Sequence, residues 1–239
     1  MASAIIHLAV AKKLLDYIKV ENKKDYLLGS IAPDISKQIG YSKGSTHFLI
    51  HTEPDVPNIT MFLNKYPNFM NNSFELGYFI HLYTDKLWFN GFLDRLIYDN
   101  SIKLLDGTII NTTREEMQNM IYSDYTNMNI QLIDKYEMDL SLFYEEFQIP
   151  KTSIIEIPVE HLDILINKMG ILIENSKEEK AYPVVLENHI AERAFEKIWV
   201  TNDQYDLNVK SVTMKDGILK VEIEIEIPET WKTKTYKVK

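Results

Sequence analysis

Apolar residues recur at helical spacing along most of this chain and switch to alternation only near its end. Ala4, Leu8, Ala11, Leu15 and Ile18 predict a first helix over 4–18, with Ser3 placed to cap it. Gly29 and Pro33 bracket Ser30-Ile31-Ala32, so 27–34 reads as a helix end turning into a loop that presents Asp34. The polar stretch 36–57, broken by Gly40, Gly44, Pro54 and Pro57, predicts a loop carrying His47 and His51. From 74 to 89, Leu76, Phe79, Ile80, Tyr83, Leu87 and Trp88 cover more than one stripe, as expected of a helix buried on most sides. That helix carries His81 and Asp85. A long helix over 112–136 should start near Thr112 or Thr113, with Glu115 and Glu116 near its positive end. Two more are expected over 158–174 and 178–200, separated by the charged run 177–180.

The period then changes. Val221, Ile223, Ile225 and Ile227 alternate with Glu222, Glu224 and Glu226, the mark of a half-buried strand. Asp216-Gly217 separates that run from 209–214, a hairpin signal, and 231–238 offers a third strand. The expected architecture is therefore mainly α: a multi-helical domain over 1–202 and a small antiparallel β appendage over 203–239. With no long linker between them, the appendage is expected to pack on the helices.

Composition narrows the chemistry. A chain of 239 residues, 45% hydrophobic, can bury a substantial core. It contains no cysteine, so a bound metal must be held by His, Asp, Glu, backbone or water, which favours zinc, manganese or iron over softer metals. The net charge of −9 argues against duplex nucleic acid as a partner. Charges interrupt every apolar run before the eighteen or so residues of a membrane span. The first residues lack the basic lead of a secretory signal, so a cytoplasmic protein is expected.

Positions four apart on a helix lie about 40° apart around its axis, so His81 and Asp85 can bind one ion from one rigid element. Taken alone, so short a pattern better fits a surface carboxylate beside a core histidine. Its setting reverses that reading, because an unpaired carboxylate in so apolar a helix costs several kcal/mol that a cation would offset. His7, Asp34 and His47 each fall on a different element and complete a candidate set.

These segments, in this order, resemble the zinc-dependent phospholipase C family, which includes trinuclear zinc single-strand nucleases. The residues that carry the resemblance are Ile6-His7-Leu8, the segment Gly29-Ser30-Ile31-Ala32-Pro33-Asp34, Thr46-His47-Phe48, and Gly77 through Asp85. Their separations look like those of the smaller intracellular members, over roughly residues 1–200. The resemblance implies that Asp34, His47, His81 and Asp85 hold one zinc ion. It also implies that Asp85 bridges to a second ion bound by His7. In secreted relatives the N-terminal amine completes that second site; Ala2 has a different spacing from its histidine. One to three ions are implied, with two favoured. At the third site His189 is the candidate ligand, but the site departs from the family's H-x-x-x-E pair: Arg193 stands four residues on, and the nearest downstream acid, Glu192, is three residues on, a spacing that can still share one helix face. Asp124, set among Tyr122 and Tyr125, is a substitute ligand. His51 and His161 read as surface histidines and are set aside.

The chemistry implied is metal-assisted phosphoester hydrolysis, with zinc-bound hydroxide attacking a phosphodiester, a phospholipid among the candidates. Asp34 or Asp124 would serve as general base. A phosphomonoesterase or single-strand nuclease on the same site is the nearest alternative. A metal-stabilised binding protein without catalysis is the other. No nucleophile elbow or glycine-rich phosphate loop is present. Tyr83, Trp88, Phe89 and Phe92 fit core packing better than a substrate pocket.

Overall fold

Ser3 opens the first helix: its hydroxyl accepts from the Ile6 amide at 3.2 Å, and α1 runs Ala4–Leu14. The structure, a computed structural model, describes residues 2–49, 56–176, 206–215 and 218–226. Helix α1 buries Ile5, Ile6, His7, Leu8, Ala9, Val10 and Ala11, nearly every face, so it is a central helix. It stops short of the predicted residue 18 because Asp16 and Tyr17 are exposed and add no burial to sustain it. Helix α2, Lys23–Gly29, is capped by the Asn22 side chain and leads into a 3-10 turn, Ala32–Asp34.

The segment 36–57 is not simply a loop. Two single-turn helices, α3 (Ile35–Gln38) and α4 (Gly44–His47), form around it, and His47 is the last residue of α4. One turn is too short to show a 3.6-residue period, and α4 is closed by the Thr46 and His47 amides donating to the Lys43 carbonyl. His51 lies outside the described residues. Helix α5, Ile59–Lys65, follows, and then α6, Ser73–Leu87, capped by Asn72.

Helices α2 and α6 cross backbone to backbone. A methyl group built on Gly29 would stand 2.1 Å from the Phe74 carbonyl oxygen, and one on Gly77 would stand 2.0 Å from that of Tyr26. Only glycine permits such an approach. It seats the C-terminal end of α2, and Ser30 just beyond it, against the middle of α6.

A π-helical turn, Trp88–Phe92, extends α6, with Asn90 off helical geometry. A small antiparallel sheet follows in the order β1 (Ile97–Tyr98), β2 (Ser101–Lys103), β3 (Ile109–Asn111), with Ile102 fully buried. Periodicity gave no sign of it, since strands of two or three residues cannot show alternation. Helix α7, Arg114–Lys135, starts with a full capping box between Thr113 and Glu116. Helix α8, Leu162–Ser176, follows a 3-10 turn that leaves His161 exposed. Among the described residues, no helix is long and apolar enough to cross a membrane.

The chain divides into units of residues 1–195 and 196–239. The first is the helical unit. In the second, β4 (Asp206–Lys215) and β5 (Ile218–Glu226) pair antiparallel with Lys215 opposite Ile218, and the register shifts between Val209 and Ser211. The fold is thus mainly α with a C-terminal antiparallel hairpin. The expected helix over 178–200, the Asp216-Gly217 turn, the strand over 231–238 and the boundary at 202–203 lie outside the described residues.

Candidate metal centre

Four elements of the helical unit bring His7, Asp34, His47, His81 and Asp85 together, each 8% exposed or less. His7 comes from α1, Asp34 from the end of the 3-10 turn, His47 from α4, and His81 with Asp85 from one face of α6. Ligand atoms of His7, Asp34 and His81 lie within 4.8 Å of one another, as do those of His47, His81 and Asp85. Five buried polar side chains so close together require strong compensation.

Hydrogen bonds fix the histidine tautomers. His81 Nδ1 donates to the Ser30 carbonyl oxygen at 2.8 Å, a contact made available by the α2–α6 glycine crossing. Thr46 Oγ1 donates to the Pro33 carbonyl at 2.7 Å. Toward His47 Nδ1, 2.9 Å away, that hydroxyl can therefore only accept, and the Lys43 carbonyl at 3.2 Å accepts as well. Both Nδ1 atoms are donors, so both Nε2 atoms carry lone pairs, and these face each other at 3.2 Å. Two bare lone pairs at that distance repel unless a proton or a cation is shared. Two imidazole nitrogens on one tetrahedral zinc stand about 3.4 Å apart, given bonds of about 2.1 Å.

His7 stacks on His81, ring centroids 3.8 Å apart and planes 12° from parallel. Both of its nitrogens are buried without a hydrogen-bond partner, as are Asp34 Oδ1 and Asp85 Oδ2. Asp85 divides its oxygens. Oδ1 faces His7 Nε2 at 3.4 Å and accepts from the Ala2 amide at 3.2 Å. Oδ2 faces His47 Nε2 and His81 Nε2, each at 3.9 Å, and the Lys43 ammonium at 3.6 Å. Asp34 Oδ1 lies 3.7 Å from His47 Nε2 and 3.7 Å from Lys37 Nζ. Orphaned donors of this kind, all nitrogen and oxygen, fit a borderline divalent ion such as zinc.

The protonation states agree. Burial drives His47 below the ordinary histidine value, opposed only in part by Asp34 and Asp85. Burial, reinforced by His7, holds His81 well below it. Burial alone would raise both carboxyls. His47, His81 and Lys37 overcome this at Asp34, and His7, His81 and Lys43 overcome it at Asp85, so both stay below the usual carboxylate range. Burial also lowers Lys43, with Asp85 opposing. Neutral imidazoles beside ionised carboxylates are the forms that bind metal.

The backbone is strained beside the site. Phe48, directly after His47, has φ 52, a left-handed conformation that is costly for an aromatic residue. Its ring is locked edge-on against Phe62, Tyr66 and Tyr78, and the Tyr78 hydroxyl donates to the Thr46 carbonyl. Aromatic packing from α5 and α6 thereby holds α4 and aims His47.

Asp124 is fully buried on α7 but belongs to neither cluster. His189 lies outside the described residues. Reading the sequence did not single out Lys37 or Lys43. The one available signal was Lys43 standing four residues before His47, one turn away at the N-cap of the same short helix. A cavity of about 330 Å³ opens beside the site. Asp34, Lys37 and Gln38 form part of its lining, with Ile5, Tyr122, Tyr125, Leu165, Met169 and Leu172 as a largely apolar wall.

Buried histidines and aspartates converging from four elements define a helical protein with a candidate His/Asp metal centre. Residues 6–144, more than half of the chain, match the family described as zinc dependent phospholipase C, and the chain belongs to that family. No curated protein and no solved structure matches it.

Proposed function

We propose that this chain is a zinc-dependent phosphoester hydrolase acting on a phosphodiester, with a two-ion site bridged by Asp85. The observation that carries this reading is the division of Asp85: Oδ1 toward His7 and Ala2 N, Oδ2 toward His47 and His81. A carboxylate whose two oxygens address separate nitrogen sets is suited to join two ions. His7 would serve one, with the Ala2 nitrogen a candidate partner if it is a free amine. His47, His81 and Asp34 would serve the other. Bound there, zinc supplies Lewis acidity that brings the pKa of water toward neutrality and stabilises charge on a phosphoryl oxygen.

Asp34 has a second task in this reading. Its carboxylate is part of the cavity lining, where it can orient a water and accept its proton. Asp124, the other carboxylate considered for this step and for metal binding, would act from α7. The apolar wall formed by Tyr122, Tyr125, Leu165 and Met169 would hold the organic part of the substrate, an acyl chain of a phospholipid among the candidates.

The test combines metal analysis with an activity screen. Protein purified without added metal should carry stoichiometric zinc and hydrolyse model phosphodiesters, with phosphomonoesters and single-stranded DNA as comparison arms. Wild-type protein with no zinc after incubation in excess metal, or zinc-loaded protein inert on every arm, would sink the proposal.

A further inference from the structure

Two lysines stand against the same carboxylates that would hold metal. Lys43 Nζ lies 3.6 Å from Asp85 Oδ2, and Lys37 Nζ lies 3.7 Å from Asp34 Oδ1. Asp85 Oδ2 also faces His47 and His81, so an ion held by those histidines and the Lys43 ammonium would share one oxygen. Like charges so close repel strongly in a buried site. If the lysines served only to neutralise the aspartates, they would be redundant once metal was bound. An anionic ligand that touches both metal and ammonium removes the conflict.

The surroundings fit that role. Lys43 has a side chain only 23% exposed and an ammonium 5.6 Å from the Phe89 ring centroid, so it is held in place rather than swinging in water. Lys37, 47% exposed, lines the cavity beside Asp34 and Gln38. The chain as a whole carries a charge of −9, so these two cations are a local feature set against the general charge. A simple phosphodiester brings one negative charge. Two divalent ions and two lysines, against two aspartates, can accommodate more than one.

Resting on the metal reading above, we infer that Lys43 and Lys37 make this a site for phosphoesters whose phosphate region carries at least two negative charges. On the phosphodiester proposed above, the second charge sits on a neighbouring phosphate of the head group; on the reacting phosphoryl group it requires a monoester dianion, which would replace the diester as substrate on the same metal site.

The experiment uses the zinc-loaded full chain and its Lys43→Gln and Lys37→Gln variants. The first pair of substrates is p-nitrophenyl phosphate and methyl p-nitrophenyl phosphate, which share a leaving group and differ by one charge. The second pair is phosphatidylinositol 4-phosphate and phosphatidylinositol in detergent micelles. Calorimetry with inorganic phosphate and zinc content supply readouts independent of turnover. Lys43→Gln should retain zinc and bind phosphate at least tenfold more weakly. In at least one pair its kcat/KM should fall at least tenfold more for the more highly charged member, and the pair that responds identifies where the charge sits. Lys37→Gln should shift both readouts in the same direction. Equal losses on both members of each pair, unchanged phosphate binding, or loss of zinc from Lys43→Gln overturns the inference and leaves the metal reading standing. Wild type without zinc or activity overturns the proposed function, and this inference with it.

Discussion

The Nε2 atoms of His47 and His81 face each other at 3.2 Å, each ring having its Nδ1 proton directed to a backbone carbonyl. Neither imidazole can turn its ring or shift its proton without losing a buried hydrogen bond. The pair is therefore organised before any ion arrives, and little side-chain entropy remains to be lost on binding.

Metal content should follow that pair. Wild type is expected to bind two zinc ions per chain by elemental analysis, His81→Ala to lose the ion it would share with His47 and Asp34, and Asp85→Asn to retain at most one. At a free zinc concentration 100 times the Kd, each bound ion should add about 2.7 kcal/mol to the stability of wild type in unfolding experiments. Retention of two ions by Asp85→Asn would exclude it as the bridge.

Acid should destabilise the metal-free chain. His47 and His81 are held below the ordinary histidine value of about 6.5, so as pH drops through that value the unfolded chain takes up protons that the folded chain does not. Each histidine can remove up to about 1.4 kcal/mol per pH unit in that window. Asp34 and Asp85, held below the carboxylate range, add a further loss below about pH 4. Thermal melts of chelator-treated protein at pH 7.5, 6.5, 5.5 and 4.5 should show a steady fall in Tm. A Tm that is flat or rising between 7.5 and 5.5 would mean that the rings are charged.

Thr46→Val tests the support behind His47. It removes the hydroxyl that donates to Pro33 and faces His47 Nδ1 while keeping the side-chain volume. The expected cost is about 1–3 kcal/mol of stability and a 10- to 100-fold loss of zinc affinity, the usual range for an outer partner of a metal-binding histidine. Unchanged zinc affinity in competition with a chromogenic chelator would show that the Lys43 carbonyl alone positions the ring.

Gly77→Ala should damage the fold and the site together. The new methyl group meets the Tyr26 carbonyl oxygen at 2.0 Å, so α2 must move away from α6 and carry Ser30 away from His81. Overpacking of this kind costs about 1–3 kcal/mol, with the upper end expected because the obstacle is backbone. Gly44→Ala, with open space around it, is the control and should stay within about 0.5 kcal/mol of wild type. Equal denaturant midpoints for the two variants would refute the close crossing.

Local rules made much of this molecule legible without coordinates. Ser3 caps α1, Thr113 and Glu116 form the capping box of α7, and alternation over 221–226 matches β5, because caps and periodicities are written within a few neighbouring residues. The i, i+4 spacing likewise placed His81 and Asp85 on one face of α6. Single-turn helices such as α4 and the strands β1–β3 escaped the same reading, being shorter than the periods that would reveal them. The convergence of His7, Asp34 and His47 on that face was suggested by resemblance, but no spacing rule contains it. It arises where Gly29 and Gly77 let two backbones touch, where Pro33 accepts from Thr46, and where Tyr78 holds the Thr46 carbonyl. The lysines show the limit most clearly. Lys37 and Lys43 are ordinary polar residues in sequence: Lys37 stands one turn after Asp34 and meets it locally, whereas Lys43 reaches Asp85 only in the tertiary structure, because contact between distant segments is decided by burial.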